Sequence, residues 1–344
     1  MTTRASLVLA LFAALAAAGP DPAPEPGIVG FHVEPLAVLS ARQKADLGVT
    51  GDRGVVVAAI VEKGPADVAG LKLGDRLLRF GGNDVPDLVT GADEARHLWR
   101  VATRMMLGNA RSGETIRVVV ARDGQERTLP LLAVSAAEMH RLQADEAWTE
   151  LPALADAGPP EPLLIDFQGL PEGTLVPAKL HPYEGRWRVL RDPEGAGVLR
   201  QDRMILPWAV ALAAGKGCCY RDGKATVRFM PLSGIADASG GIIFRAQDPL
   251  NYYLVRPNAL EDNFRVYVMK DGVRTQLATV TVTPPERNTW HVIEVEFKGP
   301  VFRAKLDGRD VVEARDETFA SGWCGLWTKA DSASLFDDLR VDPE

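Results

Sequence analysis

Cysteine and histidine, on which metal centres and many catalytic sites depend, are scarce here: 344 residues contain three cysteines and five histidines. Cys218, Cys219 and Cys324 have no C-x-x-C spacing and no nearby histidine pair, which disfavours a zinc site. Neither H-E-x-x-H nor G-x-S-x-G occurs in the sequence. Neither a zinc metalloprotease nor a hydrolase with a nucleophile elbow is therefore predicted.

An excess of positive charge is also missing. Lysine and arginine number 39 against 46 aspartates and glutamates, which gives a net charge of -7. A nucleic-acid-binding protein needs a basic surface, so we expect no nucleic-acid partner. Hydrophobic residues at 46% and charged residues at 25% are ordinary for a soluble globular protein, and the length predicts about two domains.

A long apolar run occurs only at the N-terminus. Arg4 precedes an apolar stretch over residues 5–18 that ends in three alanines. This pattern predicts a secretory signal peptide over residues 1–18, and an uncleaved anchor is the alternative. A Pro-rich spacer follows over residues 19–26. We expect a periplasmic or extracellular protein with no membrane span after cleavage.

The exported location leaves two interpretations of the cysteines. In an oxidising compartment either Cys218 or Cys219 could pair with Cys324 and leave one free thiol. Alternatively all three thiols are buried as small hydrophobic side chains.

Turn residues and apolar runs alternate over residues 27–132 in a distinctive order. An apolar strand at 55–60 is followed by Gly64-Pro65-Ala66, where proline favours the first turn of a helix. Gly70 then ends that helix, and Gly74-Asp75 forms a tight turn. An amphipathic helix is predicted over residues 92–107 and a strand over 115–122.

This order, together with the opening Gly27-Ile28-Val29-Gly30-Phe31, resembles a bacterial PDZ domain of the kind attached to HtrA-type proteases. The resemblance implies that backbone N–H groups around Gly30 hold a peptide carboxylate, since a glycine turn can direct several donors at one anion. It also implies that the strand at 31–35 accepts a peptide as an added strand, with the 92–107 helix as the other wall. The implied peptide-binding residues are Ile28, Val29, Gly30, Phe31, His32 and Val33. The alternative is a groove used only for internal contacts.

About eight residues separate the predicted cleavage site from this block, so no preceding protease domain is expected.

A helical linker is predicted over residues 133–162, with a cluster of turn residues at 156–160. From residue 163 to 344 short strands alternate apolar and polar positions, as in 290–298. Many strands at about ten-residue spacing predict an all-β jelly-roll sandwich. The predicted fold class is therefore a multidomain chain, with an α+β PDZ domain followed by an all-β sandwich.

The stretches at 240–263, 325–331 and 336–339 resemble concanavalin-like, laminin-G-type domains of exported bacterial proteins, near the 3-keto-disaccharide hydrolase and family-16 glycosidase folds. This resemblance implies a fold and leaves the activity open, because the architecture serves lectins and hydrolases alike. The E-x-D-x-x-E strand of family 16 is absent. The planar and aromatic side chains that could bind a sugar are Arg245, Tyr253, Arg256, Asn258, Glu261, Asn263 and Trp327.

Several of these residues have a second interpretation. Strand alternation predicts that Arg245 faces away from the core, whereas Trp327 could equally belong to the core. The acidic stretch 261–263 could bind a sugar hydroxyl or a structural Ca²⁺ ion, or could form a capped turn. Asp166 and the pair at 337–338 lie near the first and last strands, where Ca²⁺ is again one option and surface turns the other.

The sequence thus predicts an exported, non-enzymatic adaptor with no certain cofactor. Its PDZ groove would bind an extended or C-terminal peptide, and its sandwich would bind a polysaccharide or an envelope partner. The main alternative is a carbohydrate-active hydrolase of the sandwich fold, recruited by its PDZ domain. A third hypothesis is a structural protein that uses neither site.

Overall fold

The computed structural model describes residues 27–85, 110–143, 150–174, 179–192 and 194–344. The chain separates into two compact units, residues 1–144 and 145–344. The predicted signal peptide, the Pro-rich spacer and the 92–107 helix lie outside the described residues. In the described ranges, no helix has the length and apolar character needed to cross a membrane.

The first unit is a small antiparallel sheet with short helices. Its strands are β1 (Phe31–Pro35), β2 (Val55–Ile60), β3 (Arg76–Phe80), β4 (Asn83–Asp84), β5 (Thr115–Arg122) and β6 (Gln125–Leu132). They follow one another in the spatial order β1-β2-β3-β5-β6, and β4 pairs with β3. The helices are α1 (Ala41–Asp46), α2 (Pro65–Val68) and α3 (Ala136–Gln143), with a 3-10 turn at Leu36–Val38.

Local sequence signals account for these helices. Ser40 caps α1 and forms a capping box with Gln43, so two backbone N–H groups that the helix leaves free are satisfied. Gly64 precedes α2 and Pro65 occupies its first turn, as the sequence predicts. The apolar side of the sheet packs around Phe31 and Phe80, whose ring centroids are 6.2 Å apart.

A buried ion pair fixes the turn before β3. Asp75 is 1% exposed, and Nε and Nη2 of Arg122 each donate to it at 2.6 Å. Nη2 of Arg122 also donates to the Gly70 carbonyl at 2.8 Å, and the Lys72 N–H donates to Asp75 at 2.9 Å. The hydrogen bond to Asp75 is the main cause that raises the pKa of Arg122. The Gly74-Asp75 signature therefore supplies the carboxylate that joins this turn to β5.

The second unit is a sandwich of two antiparallel sheets, which confirms the predicted all-β fold. The first strands are β7 (Leu163–Ile165), β8 (Leu180–Glu184), β9 (Trp187–Arg191), β10 (Gly197–Gln201), β11 (Ile205–Ala213), β12 (Gly223–Ser233), β13 (Gly240–Asp248) and β14 (Asn251–Pro257). The remaining strands are β15 (Asn263–Lys270), β16 (Val273–Thr281), β17 (His291–Lys298), β18 (Val301–Leu306), β19 (Arg309–Arg315), β20 (Trp323–Ala330) and β21 (Ala333–Pro343). One sheet has the order β19-β18-β17-β12-β21-β10-β9, with β7 on β21, and the other has the order β16-β15-β14-β13-β20-β11-β8. A 3-10 turn at Leu154–Asp156 precedes them.

Aromatic side chains fill the space between the two sheets. Phe244 of the seven-stranded sheet stacks on Phe297 of the eight-stranded sheet at 5.3 Å, and meets Phe302 edge-on at 5.0 Å. Tyr253 lies beside Phe244 at 5.3 Å. Gly240 must be small here, because a Cβ would come within 2.4 Å of the Phe229 ring. The inner face of the seven-stranded sheet is therefore defined by Phe244 and Tyr253.

The three cysteines carry free thiols in the structure. Cys218 and Cys324 are buried and Cys219 is half-buried. Burial raises the pKa of the Cys218 thiol above its ordinary value. Cys218 and Cys324 are therefore packed as small hydrophobic side chains, whereas Cys219 is not fully buried.

The first and last strands of the sandwich adjoin, since β7 pairs with β21. Burial raises the pKa of Asp337 to about 6, and the charges of Asp338 and Asp166 add to this effect. Nη1 of Arg228 donates to Asp337 at 3.2 Å and acts in the opposite direction. The three aspartates therefore share a neighbourhood, and Asp337 is ionised there at a free-energy cost.

Asp337→Asn should stabilise the sandwich at neutral pH. A carboxyl whose pKa is raised in the folded state favours folding when it is protonated, so its contribution is lost as the pH rises from about 4 through about 6. The variant should be more stable than the wild type by on the order of 1 kcal/mol at neutral pH, with no gain at acid pH. Urea unfolding across this pH range measures the difference. Asp338→Asn, at a side chain that is 47% exposed, is the matched control, and an equal pH profile for both variants would contradict the assignment.

Candidate functional site

A glycine turn leads into the first strand of the sheet in unit one. Gly30 has a φ of +73°, a conformation that glycine adopts without strain. The turn is held on both sides: the Gly30 carbonyl accepts from the Val61 N–H at 2.8 Å, and Ile28 exchanges two backbone hydrogen bonds with Val134 at 2.7 and 3.0 Å. The position of this turn is thus set by the sheet on one side and by the end of β6 on the other.

Strand β1 lies at the edge of its sheet. It pairs with β2 and is the first strand in the sheet order, so no described strand covers its other side. Side chains from this segment alternate: Val29, Phe31 and Val33 are buried in the core. His32 and Glu34 face the other way, and Nε2 of His32 lies 2.9 Å from Oε1 of Glu34. A strand added to this edge would therefore bind the backbone of β1, with His32 and Glu34 near its side chains.

Space around the glycine turn is limited by helix α3. A Cβ built on Gly30 would lie 3.0 Å from Cδ of Pro65 and 3.2 Å from Cε of Met139. Met139 belongs to α3 and is 2% exposed. Residue 30 is therefore restricted to glycine both by its backbone conformation and by its neighbours.

A second group of polar side chains lies on the outer face of the seven-stranded sheet. Because Tyr253 faces the sandwich core, alternation places Tyr252, Leu254 and Arg256 on the opposite face of β14. The pairing of β14 with β15 puts Arg256 directly across from Arg265. A Cβ on Gly241 would lie 2.9 Å from Cβ of Arg256, so this glycine leaves room for the Arg256 side chain.

Arg256 is the centre of this group. It is 3% exposed, and its Nη1 donates to Oδ1 of Asn263 at 2.8 Å. Its Nη2 approaches Oε2 of Glu261 at 3.4 Å and the Tyr267 hydroxyl at 3.3 Å. Asn263 in turn donates to the same Glu261 oxygen at 2.8 Å. The buried guanidinium thus organises the loop between β14 and β15.

Two further arginines surround Tyr267. Nη1 of Arg265 donates to the Tyr267 hydroxyl at 3.2 Å, and Cζ of Arg274 lies 4.6 Å from the Tyr267 ring centroid. Burial acts to raise the pKa of Tyr267, but the positive charge of Arg256 and the contacts of the other two arginines outweigh it, so the pKa is lowered. The local potential at this face is therefore positive.

Neighbouring polar residues fix the adjoining loop. Asp237, which is 3% exposed, accepts hydrogen bonds from Ser239 and, at 3.4 Å, from Asn258. Nζ of Lys329 donates to the other Asp237 oxygen at 3.1 Å. The Asp331 carboxylate accepts three backbone N–H groups at residues 235–237. The charges of Lys329 and Asp237 thus balance each other.

The structure brings together three of the predicted sugar-binding side chains, and a fourth residue, Asn258, is linked to them through its backbone. Arg256, Glu261 and Asn263 are hydrogen-bonded to one another, and the backbone N–H of Glu261 donates to the Asn258 carbonyl at 3.3 Å. Trp327 belongs to the same outer face, opposite Gly241, and is fully buried.

Arg245 and Tyr253 lie elsewhere, and the predicted orientation of Arg245 is wrong. The Arg245 side chain is directed inward, with Cζ 5.6 Å from the Phe297 ring and 5.4 Å from the Phe302 ring. A bulge between Ile243 and Ala246 and a φ of +49° at Arg245 break the alternation. Tyr253 faces the core, where its hydroxyl donates to Asp316 at 2.6 Å. Arg245 and Asp316 line a rim pocket of about 240 Å³.

The acidic positions offer little to a metal ion. The Glu261 carboxylate is directed at Arg256 and Asn263, and the arginine contacts together with Asn263 lower its pKa although burial acts to raise it. Among the described residues, no group of three or more histidine, cysteine, aspartate or glutamate side chains could hold a metal.

Sequence reasoning missed Arg265, Tyr267, Arg274 and Lys329. A local signal existed for two of them, because Arg265 and Tyr267 alternate with the core residue Val266 along β15. Arg274 joins the group only through the register of β15 with β16, which places it across from Met269. That register includes a bulge and is not readable from the sequence.

The edge strand, the glycine turn and the sheet order define a peptide-binding class of module. A family profile described as "PDZ domain" matches residues 30–132, so the predicted PDZ domain is confirmed. The magnetosome formation protease MamE of Paramagnetospirillum magneticum is 31% identical over 159 residues, which cover 44% of this chain and 19% of that protein.

The chain is also similar to a second relative and to a solved structure. The levanase of Bacillus subtilis is 28% identical over 112 residues, covering 32% of this chain and 16% of the enzyme. The chain thus spans less than a fifth of the length of either curated relative. The carbohydrate binding module CBM66 from Bacillus subtilis is 21% identical, with a TM-score of 0.40 over 47% of this chain and 93% of that one.

Proposed function

We propose that this protein is an exported, non-catalytic adaptor that binds a peptide through its PDZ domain and a glycan through its sandwich. The observation that carries the proposal is the edge of β1 that no described strand covers, directly after the Gly30 turn. An edge strand of this kind binds an extended peptide by main-chain hydrogen bonds, and a glycine turn can direct N–H donors at a terminal carboxylate.

The glycan part of the proposal rests on the outer face of the sandwich. Glu261 and Arg265 are partly exposed, and they contact Arg256, Asn263 and Tyr267, which are buried. Planar polar groups held in place by such buried neighbours can pair with sugar hydroxyls. A relative named levanase is in keeping with a carbohydrate ligand.

Gly30→Ala tests the peptide site. The full chain is first used to select ligands from a library of peptides with free C-termini, and the best peptide is then titrated by fluorescence anisotropy. We expect Gly30→Ala to weaken binding by at least about tenfold, because the new Cβ would press on Pro65 and Met139 and the positive φ disfavours alanine. Amidation of the peptide should have a similar effect if the carboxylate is held by the turn.

Gly81→Ala is the matched control. Gly81 also has a positive φ, of +63°, but a Cβ there meets nothing within 4 Å. Both substitutions therefore cost a similar backbone free energy, and only the first disturbs the turn before β1. Equal peptide affinity for the two variants would count against the site. Release of sugar from a glycan panel by the wild-type chain would instead support a recruited hydrolase.

A further inference from the structure

The geometry points to an anionic glycan, one that carries carboxylate or sulfate groups, as the ligand of the outer face around Tyr267. This inference rests on the proposed glycan-binding function and names the chemical class of its ligand. It is supported by three arginines, Arg256, Arg265 and Arg274, which approach Tyr267 from three neighbouring strands or their ends.

The charges of this face do not balance. Three guanidinium groups surround Tyr267, and Glu261 is the carboxylate that approaches them, 3.4 Å from Arg256 and 3.9 Å from Arg265. Among the described residues no carboxylate pairs with Arg274, which lies instead over the Tyr267 ring at 4.6 Å. Lys329 adds no net charge to this face, because it forms an ion pair with Asp237. Three guanidinium groups thus face one carboxylate in direct contact around Tyr267, while the charge of Asp248 acts farther along the face, at Tyr252.

Several arginine N–H donors of this face also lack an acceptor among the described residues. Nε of Arg256, Nε of Arg265 and Nη1 of Arg274 are buried without a partner among the described residues. Buried polar groups are ordinarily satisfied, so three such donors on one face show that it is short of hydrogen-bond acceptors. Arginine is also the side chain best suited to carboxylate and sulfate, since its planar fork donates two parallel hydrogen bonds.

Two partly exposed arginines determine how a ligand would bind. The Arg265 side chain is 31% exposed and Arg274 is half-buried, so these two can reach a bound anion. Arg256 lies behind them, nearly inaccessible, and its contacts orient Tyr267, Glu261 and Asn263. Arg265 and Arg274 are therefore the binding residues, and Arg256 is a positioning residue.

The test compares charged and neutral glycans of the same skeleton. The full chain is titrated with oligogalacturonate and with its methyl ester, and with dextran sulfate and unmodified dextran. We expect at least one anionic glycan to bind about tenfold or more tightly than its neutral counterpart. Its binding should weaken when the salt concentration is raised from about 50 to about 500 mM. Arg265→Gln and Arg274→Gln should each weaken anionic binding by about tenfold.

Arg303→Gln removes the same charge from the other sheet, at a side chain that is 60% exposed and paired with Glu313, and should leave binding unchanged. Neutral glycans that bind as tightly as their anionic counterparts would overturn the inference of an anionic ligand. The glycan part of the proposed function would still be supported. If no glycan of either kind binds, both this inference and the glycan part of the proposed function fail. Equal, arginine-dependent binding of poly-glutamate would overturn the inference in favour of an acidic polypeptide. Preference for dextran sulfate over oligogalacturonate, or the reverse, identifies the anion.

Discussion

Arg122→Met should lower the free energy of unfolding of the PDZ domain by about 3–5 kcal/mol. The substitution leaves the Asp75 carboxylate, which is 1% exposed, without the two 2.6 Å hydrogen bonds that it accepts from Arg122. The Lys72 N–H still donates to Asp75, but one backbone donor cannot replace a guanidinium in a buried site. The Gly70 carbonyl also loses its Arg122 donor.

Amide hydrogen exchange of strands β2 and β5 in urea measures this effect, because it reports on the first unit separately from the sandwich. Arg79→Met is the control: Arg79 pairs with Asp84 at 3.0 Å, and both side chains are exposed, so about 1 kcal/mol or less is expected. The double variant Asp75→Leu with Arg122→Met should recover part of the loss, because no unpaired buried charge remains. A loss equal to that of the control would show that the pair is not buried in solution.

Phe244→Ala should destabilise the sandwich by about 3–5 kcal/mol, since it removes a fully buried ring and leaves a cavity. The ring contacts Phe297 and Phe302 of the opposite sheet and Tyr253 of its own. It therefore joins the two layers, and neighbouring strands cannot collapse onto the space it leaves without losing their own contacts.

Urea unfolding followed by tryptophan fluorescence measures the effect of this change, because Trp187, Trp323 and Trp327 are buried in the same unit. Val292→Ala removes an apolar side chain that is 42% exposed and should cost well below 1 kcal/mol. If the two variants unfold at similar urea concentrations, Phe244 does not hold the sheets together in the way described.

Much of the fold could be predicted from the sequence, because the signals are local. The Gly64-Pro65 helix start is read from two adjacent residues, and the structure places α2 there. The alternation of Ile293, Val295 and Phe297 marks the buried side of β17 in the same way. These patterns depend on residues that are close in the chain, so no knowledge of strand pairing is required.

The candidate sites were harder to predict because they depend on pairing between distant residues. Arg245 shows why, since one bulge and one positive φ turned its side chain from the outer to the inner face. Arg274 shows a related limit: its contact with Tyr267 depends on the register of β15 with β16, which contains its own bulge. Arg256 and Glu261, five residues apart across a loop, could be grouped from the sequence because their contact is local.

The adaptor that we propose holds a peptide and a glycan on one chain at the same time. The most direct measurement uses beads that carry a glycan retained by the full chain, together with a fluorescent peptide selected on its PDZ domain. We expect the peptide to be held on the beads only when the chain is present, free glycan to release both the chain and the peptide, and the amidated peptide not to be held. Mutual displacement of the peptide and the glycan, or retention of the chain with no peptide, would contradict it.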